Sequence, residues 1–168
     1  MQAMFERAFG PPFHPIRSVV GLGLWLLLTC GVAVLASLPA PGEWYAALRK
    51  PAWTPPGWLF GPVWTALYVM MAFAAWLVWH HGGFAYQGRP LGAYLAQLGL
   101  NGLWSWIFFG WQRPGLAFAE ILLLAAAVAV TLRLFARVSK PAAWLLAPYL
   151  AWLAFAAALN FSIWRLNA

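Results

Sequence analysis

Polar residues along this chain are spaced so as to leave five long apolar runs: Ile16–Leu38, Pro62–Trp79, Leu91–Trp111, Pro114–Ala136 and Pro141–Trp164. The second becomes comfortably long only when Trp58–Gly61 extends it. About 20 apolar residues cross the roughly 30 Å hydrocarbon core as a helix. The runs lack the alternation of a membrane barrel, and in the absence of water a helix satisfies its backbone groups within its own segment. The pattern therefore predicts an all-α integral membrane protein, a five-transmembrane-helix bundle with spans at about 16–38, 58–79, 91–111, 114–136 and 141–164. Pro62, Pro114 and Pro141 stand near run starts, where proline sacrifices no intrahelical bond. The connections after the second, third and fourth spans are short, which makes consecutive helices antiparallel neighbours. Residues 1–15 form a polar, proline-containing N-terminal extension, and residues 16–168 a single membrane domain. The first run is too long for a signal-peptide core and has no cleavage site close behind it, so it reads as a retained first span.

Composition excludes the main alternative. Only 8% of the 168 residues are charged and 64% are hydrophobic, whereas a soluble domain is about one quarter charged. A mean hydropathy of +0.75 agrees. The net charge of +7 does not mark a nucleic-acid partner, because the ten Lys and Arg residues sit singly or in pairs at the ends of apolar runs rather than on one face. Six of them (Arg7, Arg17, Arg89, Arg133, Arg137 and Lys140) fall on the N-terminal side of the membrane and four (Arg49, Lys50, Arg113 and Arg165) on the other, which favours a cytoplasmic N-terminus. One cysteine, Cys30, lies inside an apolar run, so the chain has no internal disulfide and no Cys/His metal set.

The first connection is unlike the rest. Pro39–Gly57 carries five prolines, Trp44, Trp53, Tyr45 and the charges of Glu43, Arg49 and Lys50. That makes it stiff and aromatic rather than a flexible linker. It reads either as a lid folded over the end of the bundle or as part of an interfacial aromatic belt.

Polar groups inside spans are costly and therefore informative. Gln97 and Asn101 share a face of the third span, which Trp104 and Phe108 continue; the second offers Trp64 and Tyr68, and the fifth Tyr149, Trp152, Ala156 and Asn160. Three such faces can meet around a cavity walled by rings with sparse polar groups, the usual make-up of a small-molecule pocket. The alternative is that the amides are interhelical hydrogen bonds and the rings packing, although 13 tryptophans exceed what helix packing asks, since small residues pack membrane helices better. Glu120 in the fourth span has no carboxylate or histidine near it in sequence, so a structural hydrogen bond or ion pair is expected rather than acid catalysis. Gly92, Ala96 and Gly99 make a small-residue stripe on the third span, able to admit another helix of the chain or a second protomer. His80 and His81 are adjacent, point apart on a helix and are interfacial. No nucleophile elbow, phosphate loop or Ser/His/Asp set is present.

Several segments resemble the TspO/MBR family, the tryptophan-rich sensory proteins of bacteria and the translocator proteins (peripheral benzodiazepine receptors) of mitochondria. They are Glu43-Trp44-Tyr45, Lys50-Pro51-Ala52-Trp53-Thr54-Pro55-Pro56-Gly57-Trp58, Gly61-Pro62-Val63-Trp64, Gln97-Leu98-Gly99-Leu100-Asn101, Ile107-Phe108-Phe109-Gly110, Pro148–Phe155 and Leu159–Arg165. The resemblance covers about Trp44 to Arg165. It implies a five-helix bundle, commonly dimeric, whose first loop caps a pocket, and ligands such as protoporphyrin IX, benzodiazepine-site drugs and, in eukaryotic members, cholesterol. Carried over by position, it implies pocket residues Tyr45, Trp64, Asn101, Trp104, Trp152, Ala156 and Leu159. Trp64 and Trp152 match tryptophans linked in some bacterial relatives to light-dependent porphyrin breakdown, which makes them the candidate catalytic pair. The sterol pattern at the end of the fifth span departs from the family: Leu159 and Arg165 are in place, but Phe161 stands where a tyrosine is needed, and such patterns are weak even when intact.

Three functions follow as expectations. The first is a sensor or carrier of porphyrins in the bilayer, with porphyrin as ligand rather than cofactor, Asn101 and Tyr45 orienting its polar edge, and Lys50 or Arg49 attracting its propionates. The second is oxygen- and light-dependent degradation of that porphyrin at Trp64 and Trp152. The third is sterol or lipid transport.

Overall fold

The first long helix shows how little of this protein's apolar surface faces inward. In the computed structural model, which describes residues 14–168, α1 spans Pro15–Ser37; the extension expected over residues 1–15 lies almost wholly outside the described residues. On α1 only Ser18, Gly21, Trp25 and Thr29 form a buried stripe, at helical spacing. Val19, Val20, Leu24, Leu27, Val34 and Leu35 are exposed, an arrangement that suits hydrocarbon and not water.

Five further helical elements follow: the short α2 (Glu43–Ala47), α3 (Gly57–Trp79), α4 (Gly83–Ser105), α5 (Pro114–Val138) and α6 (Lys140–Leu166), with a π-helical turn at Trp106–Gly110 continuing α4. The long helices pack in a closed ring, α1 on α3, α3 on α6, α6 on α5, α5 on α4 and α4 back on α1. Four of them, α1, α3, α5 and α6, are long and apolar enough to cross a membrane. The chain is thus an all-helical integral membrane protein.

Boundaries differ from the sequence pattern where polar residues enter helices. Helix α3 starts at Gly57 and holds Pro62 inside it, past the first turn, so that proline does cost an intrahelical bond. Helix α4 starts eight residues before the apolar run, at Gly83 rather than Leu91, because Tyr86 and Arg89, on either side of a kink at Gln87, are helical although polar. Its Pro90 crowds the carbonyl four residues back, and the backbone opens beside it at Gln87 (φ −113°, ψ 25°), whose Nε2 donates to the His81 carbonyl at 3.0 Å. By contrast Pro114 and Pro141 sit in the first turns of α5 and α6. Ser139 caps α6 by accepting from the Ala142 N–H.

Helix α1 is tied to the ring at several heights. Trp76 Nε1 donates to the Ser18 carbonyl (2.9 Å) and Thr29 Oγ1 pairs with the Tyr94 hydroxyl (2.8 Å). Between them the indole of Trp79 lies on Gly21 where a side chain would begin. Gly21→Ala places a methyl group in that ring and is expected to cost about 1–3 kcal/mol, the usual penalty for overpacking. A thermal melt of the detergent-solubilised variant should show the loss; an unchanged midpoint would mean that Trp79 swings aside freely.

Candidate functional site

Toward the end of the ring where α2 lies, the helices do not close on one another but enclose a cavity of about 630 Å³, inside the ~300–1,000 Å³ range of small-molecule sites. Its walls come from every long helix. Ala33 and Ala36 of α1 and Gly57 and Gly61 of α3 line it, and their small size leaves the room. Helix α3 adds Phe60, Trp64 and Tyr68, and α4 with its π-helical turn adds Asn101, Trp104, Phe108 and Phe109. Ile121 and Leu124 come from α5, and Trp152, Ala156 and Leu159 from α6.

The aromatic wall is continuous. Trp64 meets Trp152 edge to face with centroids 6.4 Å apart, and Trp152 meets Phe60 (5.9 Å) and Phe155 (5.2 Å). Across the cavity Trp104 stacks on Phe108 at 5.1 Å. The π-helical turn widens the backbone at Trp106–Gly110, as such bulges often do at functional sites, and places Phe108 and Phe109 side by side (4.9 Å).

Polar groups are few and mostly committed. Asn101 bridges three helices: its Oδ1 accepts from the Tyr68 hydroxyl, and its Nδ2 donates to the Tyr149 hydroxyl at 2.9 Å. Trp104 Nε1 donates to Asn160 Oδ1 (3.2 Å), and Asn160 Nδ2 donates to the Pro114 carbonyl (2.8 Å). For Asn101 and Asn160 the amides are therefore interhelical ties. The Trp152 N–H is buried without an acceptor. Gln97, one turn from Asn101, is 1% exposed and its whole amide lacks a partner. Glu120 differs from expectation: it is buried on the inward face of α5, and neither carboxylate oxygen has a hydrogen-bond partner.

The first loop forms the roof. Pro39, Pro41, Tyr45, Lys50, Thr54 and Pro55 line the cavity from above. Trp44 and Tyr45 sit edge-on against Phe108 (5.8 and 6.1 Å), Tyr45 against Phe109 (5.3 Å) and Trp53 against Phe155 (5.8 Å). Trp58 instead points out and is 73% exposed, as an interfacial anchor would be. Lys50 Nζ donates to the Ala46 and Leu48 carbonyls (3.2 and 3.1 Å) and lies 4.5 Å over the Tyr45 ring. Burial raises the Tyr45 hydroxyl above the ordinary phenol value of 10.0, so it remains a neutral donor at physiological pH. At the opposite end of the ring His80 Nδ1 lies 3.0 Å from Ser18 Oγ, and burial together with the neighbouring His81 lowers its pKa.

All of Tyr45, Trp64, Asn101, Trp104, Trp152, Ala156 and Leu159 border this one cavity. The sterol-pattern residues do not stay together: Leu159 faces the cavity, while Phe161 is exposed and packs on Phe118 (5.1 Å), and Arg165 is exposed. The small-residue stripe Gly92, Ala96 and Gly99 is exposed. A side chain added at Gly92 or Gly99 would meet nothing, so among the described residues no helix covers the stripe. Sequence reasoning missed Phe60, Ala33 and Ala36 of the wall; Phe60 carried a readable signal, since it precedes Trp64 by one helical turn, whereas the two alanines carry none.

Comparison with known proteins gives a consistent picture. The sequence model of the TspO/MBR family matches residues 24–165. The chain is 49% identical over 127 residues to the translocator protein of Homo sapiens, covering 74% of this chain and 75% of that one. It is 46% identical over 125 residues to the tryptophan-rich protein TspO of Archaeoglobus fulgidus (74% and 80% covered). To the tryptophan-rich sensory protein of Cereibacter sphaeroides it is 41% identical over 147 residues (87% and 91% covered).

Proposed function

This chain belongs to the TspO/MBR family, and from that premise we propose that it is a five-span membrane receptor, sensing or carrying a flat, apolar ligand of the porphyrin class. In this reading α4 is the fifth span, its polar residues tolerated because Gln97 and Asn101 face the bundle interior. Support comes chiefly from one observation: a cavity of about 630 Å³ whose walls are mostly rings, with its asparagine amides already spent on the bundle. Such a wall rewards stacking and apolar contact and offers few directional polar contacts, which fits a broad aromatic macrocycle better than a polar solute. Lys50, the positively charged residue of the roof that lines the cavity, is the group we assign to a ligand's carboxylate at the mouth. The exposed stripe of Gly92, Ala96 and Gly99 is where we place a second protomer.

The test is a titration of the purified protein with protoporphyrin IX, following tryptophan fluorescence in the dark. Saturable quenching at one ligand per chain is expected; its absence would remove the porphyrin reading and leave the fold. A second reading, oxygen- and light-dependent breakdown of the bound porphyrin, draws support from the contact of Trp64 with Trp152 on the cavity wall. Repeating the titration in light separates the two: loss of the porphyrin absorption band supports degradation, and a stable band supports carriage or sensing alone. Sterol transport draws no support from this pattern, since Leu159 faces the cavity while Phe161 and Arg165 lie on another, exposed face of α6.

A further inference from the structure

The roof is stapled within itself and fastened to the bundle by polar groups at one place. Lys50 closes the Ala46–Lys50 turn on two carbonyls, and Thr54 Oγ1 donates to the Pro51 carbonyl at 2.8 Å. With its prolines, these bonds make the loop a stiff cap rather than a strand of independent residues. Among the described residues its only hydrogen bonds to a distant part of the chain involve a single side chain, Asn167, at the end of α6. Asn167 Oδ1 accepts from the Arg49 N–H (3.0 Å), and its Nδ2 donates both to the Arg49 carbonyl (2.9 Å) and to the Ile163 carbonyl (2.7 Å).

That pattern uses the whole amide. An asparagine side chain has an acceptor oxygen and two N–H donors. Here it grips both polar groups of one peptide segment as a strand partner would, while its second N–H anchors it to the last turn of its own helix. Arg49 precedes Lys50, which lines the cavity, so the grip lies directly beside the mouth. The remaining contacts of the roof with the bundle are apolar, aromatic edges together with the Leu48 side chain, which are non-directional and can slide. The asparagine clamp fixes position.

We propose that Asn167 is the latch of the roof: it holds the first loop closed over the cavity and thereby sets how fast ligand enters and leaves. It is a positioning residue, since it borders the loop backbone and not the cavity. The timing of ligand exchange rests on the reading of the cavity as a binding site; the grip on the loop does not. Because the latch acts on the closed roof whether or not ligand is present, its loss accelerates entry and exit together and leaves the equilibrium affinity nearly unchanged. Loss of an ordinary binding contact would raise the exit rate alone.

The experiment compares wild type with Asn167→Ala in lipid nanodiscs. Asn167 is exposed at a helix end, so the variant should fold, with a melting midpoint lowered by no more than the loss of a surface hydrogen bond implies. Ligand-free hydrogen exchange should show the Arg49 amide exchanging about tenfold faster in the variant, the size expected when one net hydrogen bond of ~1.4 kcal/mol is lost. Arg49→Ala, which keeps the peptide, should leave that amide as protected as in wild type. Stopped-flow with protoporphyrin IX should then show association and dissociation rising by a similar factor in Asn167→Ala. An unchanged Arg49 amide would overturn the latch. Faster exchange at Arg49 with unaltered ligand kinetics, or with a rise in dissociation alone and a weaker Kd, would overturn its role as a gate. If wild type binds no porphyrin, the receptor reading falls, and the exchange measurement still decides whether Asn167 holds the loop.

Discussion

Replacing Trp64 and Trp152 together by alanine is expected to weaken porphyrin binding by about a thousandfold, which in a fluorescence or absorption titration reads as loss of saturable binding. Stacking on an aromatic side chain is worth about 1–3 kcal/mol per ring when measured by alanine substitution, so two rings supply about 4 kcal/mol, and each 1.4 kcal/mol is a factor of ten. The two indoles touch, which means that their effects need not add. Each single variant is therefore expected to lose a larger share of the binding than half the double. The bundle should survive, because both side chains are only half-buried and border the cavity. Helix content and elution volume would check that. The Trp→Phe pair keeps the rings and should retain most of the affinity while removing indole photochemistry, so it isolates any light-dependent loss of the porphyrin band. A double alanine variant that binds as tightly as wild type would move the ligand out of this cavity altogether.

Much of this arrangement was legible from residue spacing. Trp64 and Tyr68, Asn101 and Trp104, and Trp152 and Ala156 each repeat at helical intervals on an inward face, and the ring of helices turns those faces toward one cavity. Hydropathy could not see the first turns of α4, since Tyr86 and Arg89 are polar although their backbone belongs to a helix. Nor could it see the π-helical turn at Trp106–Gly110, where Phe109 joins Phe108 on the cavity wall. The division of labour within the first loop was also hidden. Composition left lid and belt equal, whereas the loop turns Trp44 and Tyr45 inward and Trp58, just past it at the start of α3, faces outward. Asn167 gave no sequence signal at all, because its partner is a peptide group 118 residues away.

Asn101→Leu is expected to destabilise the bundle by breaking a polar bridge between three helices. The amide joins α4 to the Tyr68 hydroxyl of α3 and the Tyr149 hydroxyl of α6, and all three residues are at least nine-tenths buried. Leucine fills similar space but orphans both hydroxyls. In a soluble core an orphaned buried group costs about 1–3 kcal/mol. Within membrane bundles measured hydrogen-bond couplings are smaller, averaging ~0.6 and reaching ~1.7 kcal/mol, because the unfolded helices also find partners in the bilayer. Two bonds on that scale give about 1–3 kcal/mol, enough to lower the melting midpoint clearly in detergent. Compensation tests the cause: converting Tyr68 and Tyr149 to phenylalanine in the Asn101→Leu background removes the orphaned hydroxyls and should restore most of the loss, since replacing every member of a polar network by apolar groups is nearly neutral. If the triple variant melts no higher than Asn101→Leu, the cost lies in shape and not in the hydrogen bonds. Should Asn101→Leu itself melt like wild type, the Tyr68–Asn101–Tyr149 bridge contributes nothing to stability, and the amide would be free to serve a ligand instead.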